Sequence, residues 1–352
     1  MKSKLYRYAI IGTGRPGGTE GATGFGMAHH HYRCFNATGR VELVAICDIK
    51  DDPAQFFLKK YESDAKHYHD YHKMLKEEKP DIVSICVWPH LHSEMAVAAA
   101  EAGVKAIHCE KPMATTWGDC KRMKAAADAS GSKLTFGHQR RYIYMFQKLR
   151  EELQSGVIGD LVMIEAQVGD MFDWGTHWLD MMQFYNNETP IEWVIGQLES
   201  HTEKRIFGAY MENQAICHFK WTNGVRGLLV VGEDAKIGST HRIIGTKGVV
   251  ETLSERKYRI LGNGESEWKE VEVPQGEKGD LERSMEDVVR QLDEPEHKTL
   301  IGAEYAIQHT EAIFATYYSS MIRGRITFPL LYDGNALMDM LENGDIGPNR
   351  KK

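Results

Sequence analysis

Ile10-Ile11-Gly12-Thr13-Gly14 closes an apolar run that starts at Tyr6. A strand that ends in Gly-x-Gly opens the dinucleotide-binding fingerprint. That fingerprint wants a third glycine where helix and strand pack closely, and an acidic residue about 20 residues further on. Gly17 satisfies the glycine spacing literally. Asp48, which ends the second apolar run, lies 31 residues beyond Gly17 but 22 beyond Gly26. Gly26 also opens the apolar-faced run Met27-Ala28-His29-His30-His31-Tyr32. We therefore read Gly26 as the third glycine and residues 15–25 as an enlarged loop, nine residues longer than the fingerprint requires. In this reading Gly12, Thr13, Gly14 and Gly26 let the backbone approach a pyrophosphate, which the helix N-terminus holds. Asp48 accepts from the adenosine ribose hydroxyls and repels a 2′-phosphate, which favours NAD over NADP; Lys50 nearby weakens that preference a little. The plain alternative is a glycine-rich turn that binds no nucleotide.

Outward from this loop, residues 5–136 alternate apolar and amphipathic segments. Strands are expected at 6–11, 41–47, 82–87, 104–109 and 133–136, and helices near 27–36, 53–61, 71–78, 93–102 and 116–130. Near-continuous apolar strands alternating with helices predict a parallel sheet covered on both faces. The pattern changes after about residue 140. A helix is expected at 143–155, a strand at 161–168 and a helix at 175–185. Short extended segments follow at 194–198, 214–221, 225–231, 241–244, 249–252, 257–261 and 268–273. Turns such as Asn223-Gly224 and Asn263-Gly264 join them, as in an antiparallel sheet. Two helices close the pattern, near 280–292 and 303–322. The expected fold class is α/β. A Rossmann parallel sheet occupies 1–138, and an α/β domain with an open, mainly antiparallel sheet, for substrate binding and oligomerisation, occupies 139–352.

Composition is that of an ordinary globular protein, 42% hydrophobic and 26% charged over 352 residues. A net charge of -7 with no strong basic run argues against a nucleic-acid partner. The tail Arg350-Lys351-Lys352 is too short to change that and reads as a frayed terminus. Cys34, Cys47, Cys86, Cys109, Cys120 and Cys217 form no CxxC pair, a pattern of reducing compartments. No signal peptide or spanning segment is visible, so a cytoplasmic location without a membrane partner is expected.

Two segments carry candidate chemistry. Asp173-Trp174-Gly175-Thr176-His177-Trp178-Leu179-Asp180 spaces a carboxylate and an imidazole i, i+4. If Gly175 opens a helix, the two can meet across its first turn. A carboxylate on one ring nitrogen fixes the tautomer and leaves the other to move protons near pH 7. The competing reading is a helix cap by Asp173 beside a buried histidine. Glu110-Lys111-Pro112 follows an apolar run and places a lysine where an α/β sheet presents ligand-contacting groups. Lys111 can stabilise a developing alkoxide; the competing reading is a surface lysine paired with Glu110. Of Arg140 and Arg141, Arg141 is taken as the substrate contact, with an interdomain salt bridge as the alternative. Trp174 offers a flat apolar face to a sugar ring, and Trp178 does so or packs in the core. Asp173, His177 and Asp180 share a helical face, but nothing else has metal-ligand spacing, so no metal is expected. His29-His30-His31 reads as helix surface plus one buried ring.

Taken together these motifs resemble the Gfo/Idh/MocA family (glucose-fructose oxidoreductase, inositol dehydrogenase and rhizopine catabolism proteins). Gly26-Met27-Ala28-His29 is similar to the family's helix opening. Trp88-Pro89-His90-Leu91-His92 is similar to its Thr-Pro-Asn-x-x-His segment, with Trp88 and His90 as departures. Glu110-Lys111-Pro112 matches its most recognisable tripeptide. Gly137-His138-Gln139-Arg140-Arg141-Tyr142 resembles its crossing into the second domain. The Asp173 to Asp180 segment resembles its catalytic stretch, and Gly324-Arg325-Ile326-Thr327-Phe328-Pro329 its closing strand. The enlarged loop departs from the pattern. The resemblance implies NAD(P) bordered by Trp88, His92, Glu110, Lys111 and Gln139, and a sugar, polyol or related substrate. It implies catalysis by Lys111, His177 and Asp173, with Arg141 and Trp174 on the substrate, and a homodimer or homotetramer formed through the C-terminal sheet. The expected activity is hydride transfer between a secondary alcohol and NAD. One alternative is an NAD-recycling enzyme that cleaves or epimerises a glycoside through a transient keto form. The other is a non-catalytic ligand sensor.

Overall fold

The structure, a computed structural model, describes residues 5–232, 235 and 240–348. The first four residues and the basic tail Arg350-Lys351-Lys352 lie outside the described residues. The chain divides into two compact units. The first comprises Met1–Thr115, Asp119–Gln139 and Leu281–Glu304, and the second Thr116–Gly118, Arg140–Asp280 and Tyr305–Lys352. Among the described residues no helix is long and apolar enough to cross a membrane.

The first unit is built from β1 (Tyr6–Ile11), α1 (Met27–Ala37), β2 (Val41–Cys47), α2 (Asp51–Lys60), β3 (Lys66–Tyr68), α3 (Tyr71–Glu78), β4 (Ile82–Ile85), α4 (His92–Glu101), β5 (Ala106–Cys109), α5 (Trp117–Ser130) and β6 (Lys133–Phe136). The strands form a parallel sheet in the order β3-β2-β1-β4-β5-β6. The order reverses between β1 and β4, and ligands bind outside the carboxyl ends of the strands at such a switch point. β4 and β5 are buried at every position, as expected of strands covered on both faces. Tyr8, Phe35 and Phe57 are fully buried between sheet and helices, each contributing about 1.5–3 kcal/mol. β3, only three residues long, carries no readable alternation and was not expected from the sequence. It is held by Glu78, whose carboxylate bonds Lys66 and Tyr68 as well as Arg7 of β1.

The second unit contains α6 (Tyr144–Gln154), β7 (Leu161–Val168), α7 (Gly175–Tyr185), β8 (Ile191–Glu199), β9 (Lys204–Ile206), β10 (Ala209–Met211), β11 (Gln214–Trp221), β12 (Arg226–Gly232), β13 (His241–Gly245), β14 (Gly248–Thr252), β15 (Lys257–Gly262) and β16 (Lys269–Glu272). After α8 (Asp280–Asp293) come α9 (Ala303–Ile322), β17 (Ile326–Thr327) and α10 (Ala336–Glu342). Nine strands form one sheet in the order β16-β15-β14-β13-β7-β12-β11-β8-β17. The pairing is antiparallel except between β7 and β12, which run parallel. α9 lies against β8 and β11. Ser319 and Ser320 accept from the Gly196 and Leu198 amides, and Thr316 donates to Cys217 Sγ. A Cβ on Gly196 would stand 2.4 Å from Thr316 Cγ2, so only glycine admits the helix there. The opposite face leaves Ile195 and Ile216 exposed.

A single cut near residue 138 misses one feature. From Leu281 onward α8 belongs to the first unit. Asp293 at its end accepts from Tyr6 and is forked by Arg40 at 2.7 and 2.8 Å. Just beyond it, the Phe136 amide donates to Ile301, and Thr135 forms a bridge with Gly302. The strongly amphipathic sequence of α8 fixes that it is a helix. It does not fix which sheet the helix covers.

Candidate active site

In the first unit the glycine turn follows β1 directly. Gly12 has φ +83°, and its amide donates to Cys47 at 2.8 Å. A Cβ there would lie 2.6 Å from Val87 Cγ1. Gly14 has φ +54° and nothing within 4 Å of a Cβ position, which leaves an open cradle. Gly26 caps α1 with φ +67°, and a Cβ would lie 2.5 Å from the Arg15 carbonyl oxygen. The enlarged loop therefore leaves and returns at one place. The Gly17 amide bonds Phe25 O, while Arg15 forks onto Asp52 of α2 at 2.9 and 2.6 Å and lies over Phe56.

Asp48 sits under this turn. Its Oδ2 accepts from the Thr13 amide and hydroxyl at 3.0 and 2.7 Å and from the Gly14 amide at 3.3 Å; its Oδ1 accepts from the Lys50 amide. Thr13 is thus turned inward, and its hydroxyl shapes the loop instead of facing a ligand. His29 is buried beside it, and burial brings its pKa down to about 4. His31 is also buried, so two of the three consecutive histidines are interior where one was expected.

Glu110 and Lys111 follow β5. Glu110 Oε1 pairs with His31 Nε2 at 2.8 Å, and His31 Nδ1 faces Cys86 Sγ at 3.3 Å. Burial works to raise the Glu110 carboxyl. The His31 bond and charge, with Lys111 and His108, outweigh it and hold the pKa below its usual range. Gly137 makes room, since a Cβ there would meet the Glu110 carboxylate at 3.1 Å. Lys111 is half-buried, Trp88 is exposed at the start of a short 3-10 turn, and Gln139 opens a second such turn. His92 differs from the expected cofactor contact. It is fully buried, with Nδ1 2.9 Å from Pro112 O and Nε2 3.0 Å from Val87 O. Both ring nitrogens lie against main-chain carbonyls, so His92 packs between the Lys111 turn and the segment after β4.

In the second unit Gly175 does open α7, and Asp173 and His177 are both buried. The N-cap position of α7 is Trp174, which makes no side-chain cap bond. Asp170 Oδ1 accepts from the Asp173 and Trp174 amides at 2.8 and 2.9 Å. Its main-chain oxygen accepts from Gly175, where a Cβ would lie 2.8 Å away. Burial raises the Asp170 carboxyl, against those two amides. Glu212, fully buried, accepts from the Met171 amide and the Tyr317 hydroxyl and is likewise raised by burial. These supports come from β10–β11 and α9, so sequence spacing gave no signal of them.

Arg141 does not offer the substrate contact expected of it. Its side chain is 1% exposed; Nε and Nη2 hold Asp180 at 2.8–3.0 Å, and Nη1 and Nη2 hold Glu188 at 2.7 and 3.1 Å. Both acids lie in its own unit, so this is not an interdomain bridge. Glu188 reaches it because Asn187 and Glu188 both adopt positive φ past the end of α7. The same pairing removes Asp180 from any metal set with Asp173 and His177. Its Oδ1 is also 3.3 Å from His309 Nδ1. Arg140 is the arginine beside the aromatic wall. Its guanidinium lies 5.0 Å from the Trp178 ring centre and 5.8 Å from that of Trp174, and it pairs with Glu255. Trp178 stacks on buried His241, whose pKa burial lowers to about 3. Trp174 is exposed.

Residues 6–138 match the family model described as "Oxidoreductase family, NAD-binding Rossmann fold" of the Gfo/Idh/MocA group. Residues 167–251 match its C-terminal domain model. An inositol 2-dehydrogenase of Salmonella typhimurium is 37% identical over 150 residues, 42% of this chain and 44% of that protein. A D-glucoside 3-dehydrogenase of Escherichia coli is 34% identical over 167 residues, 47% of this chain and 44% of that protein. The chain thus spans less than half the length of these curated relatives. Across nearly the whole chain the fold is similar to that of the WlbA dehydrogenase from Bordetella pertussis, solved in complex with NADH and UDP-GlcNAcA. The TM-score is 0.72 at 21% identity, covering 93% of this chain and 99% of that one.

Proposed function

The chain belongs to the Gfo/Idh/MocA oxidoreductase family, and on that premise we propose that it oxidises a secondary alcohol of a sugar, polyol or glycoside with NAD. The observation that carries this reading is the cradle of Gly12, Gly14 and Gly26 over the Asp48 carboxylate. Gly14 leaves open the space that a Cβ would begin to fill, so the turn fits a pyrophosphate. Asp48 Oδ1 accepts one bond from Lys50 and retains capacity for ribose hydroxyls. Its negative charge disfavours a 2′-phosphate, which selects NAD over NADP.

Bound NAD would supply the hydride acceptor. Lys111 and His177 are the groups proposed to hold and remove the hydroxyl proton. The Lys111 ammonium stabilises alkoxide character, and the His177 ring takes and returns the proton. Asp173 is the proposed orienting carboxylate. Arg140, with Trp174, is the proposed polar and flat contact to the ring, in the place first given to Arg141. The exposed sheet face carrying Ile195 and Ile216 is proposed as the surface through which copies associate. The dehydrogenase names of the relatives support sugars and cyclic polyols as substrates.

The test is a screen of monosaccharides, inositols and glycosides with NAD and with NADP, read at the NADH absorbance, with product analysis. Turnover with a polyol or glycoside and NAD is expected. Absence of reduction across the panel would overturn the reading, and so would binding of NADP as tight as NAD. A changed product without net NADH would indicate a redox-cycling reaction instead.

A further inference from the structure

Beside the cradle, in the same unit, three metal-ligating side chains converge that the proposed chemistry does not use. Asp51 opens α2, His67 lies in β3 and His69 follows it. His67 and His69 are two apart on an extended segment, so they project to the same side. Their ring centres are 4.5 Å apart. Asp51 Oδ1 is 2.8 Å from His69 Nε2 and 3.7 Å from His67 Nδ1. One ligand atom from each residue lies within 4.8 Å of the others.

A hydrogen bond behind His67 fixes the orientation of its ring. His67 Nε2 lies 3.0 Å from the Asp48 main-chain oxygen. A carbonyl only accepts, so Nε2 carries the hydrogen. That leaves Nδ1 as the ring nitrogen turned toward the Asp51 carboxylate and available to a cation. A main-chain carbonyl behind a histidine is also the arrangement that orients imidazoles on metals.

We infer that Asp51, His67 and His69 bind a divalent transition ion, and that zinc is the best fit. Two imidazoles and one carboxylate give zinc three protein ligands. With bonds of about 2.0–2.2 Å, ligand atoms on tetrahedral zinc stand about 3.3 Å apart. The ion draws His67 and Asp51 together and spreads Asp51 from His69, each by a few tenths of an ångström. The His69 and Asp51 side chains are 60% and 76% exposed, which leaves the remaining position to water and lets the ion exchange with solution. Bound zinc ties the start of α2 to the segment after β3. The inference does not depend on the redox reading.

The experiment is calorimetric titration of zinc chloride into the full, untagged chain. One saturable site is expected. His67→Ala and His69→Ala should each weaken it by more than about tenfold, and Asp51→Asn should weaken it too. His72→Ala, an exposed histidine on α3, should leave it unchanged. Cobalt substituted for zinc should give a visible absorption band that the His67→Ala/His69→Ala double variant lacks. Thermal melting without metal should be near wild type for Asp51→Asn and His69→Ala, whose side chains are exposed. Undiminished zinc affinity in the double variant would overturn the assignment, since the ion would then sit on other groups. So would the absence of saturable binding up to millimolar zinc.

Discussion

Replacing Arg141 with methionine separates a structural from a substrate-binding role for this residue. The substitution keeps an apolar stem of similar length and removes the cation. It leaves Asp180, 1% exposed, and Glu188, 16% exposed, without the guanidinium that bridges them. Burial already raises the Glu188 carboxyl, and Arg141 is what opposes it. Breaking a buried pair in this way costs about 3–5 kcal/mol, against about 0–1 kcal/mol for an exposed one. The second unit has roughly 190 residues, for which each kcal/mol moves Tm by about 2–4 °C. The expected fall is about 6–20 °C by scanning calorimetry at pH 7. Arg140→Met is the contrast. Its partner Glu255 is exposed, so Tm should hold, while KM for the sugar rises under the proposed function. A wild-type Tm for Arg141→Met together with a raised KM would refute the reasoning and return Arg141 to the substrate.

Lys111→Ala and His177→Ala should each lower turnover by roughly 10²–10⁴-fold with the fold intact by circular dichroism; near-native turnover removes that residue from the mechanism. Gly26→Ala should abolish NAD binding, because φ +67° and a Cβ 2.5 Å from Arg15 O force the loop away from α1. An unchanged NAD dissociation constant would count against the cradle. Urea stability should fall on acidification. Burial lowers the pKa of His108 and His241 to about 3 and of His309 to about 4. In the unfolded chain these rings bind protons near pH 6.5, which the folded chain refuses. Stability is therefore full above about pH 6.5 and lost as pH falls toward those values, by at most about 2 kcal/mol per ring at pH 5. A midpoint that is flat from pH 7 to pH 5 would contradict this, and His241→Phe should shallow the slope.

The sequence by itself determined whatever depends on neighbours along the chain. Apolar periodicity placed β7, α7, β11 and α9 at their observed bounds, because strand and helix periods are local properties. The spacing from Gly26 to Asp48 placed Gly26 at the start of α1 despite the enlarged loop, because one strand and one helix span a nearly fixed length. That Gly175 begins a helix was readable for the same reason. Only the tertiary structure decided which polar groups meet. Arg140 and Arg141 are adjacent and chemically alike. One is consumed by acids 39 and 47 residues away, while the other lies over the tryptophans. His31 reaches Glu110 across 79 residues, and Glu212 supports Met171 across 41. Leu281–Glu304 returns to the first unit through Tyr6 and Arg40. His67 and His69 gain Asp51 only because β3 pairs beside β2 at the foot of α2. Such contacts follow from how sheets and helices stack, and that packing leaves no period or spacing in the order of the residues.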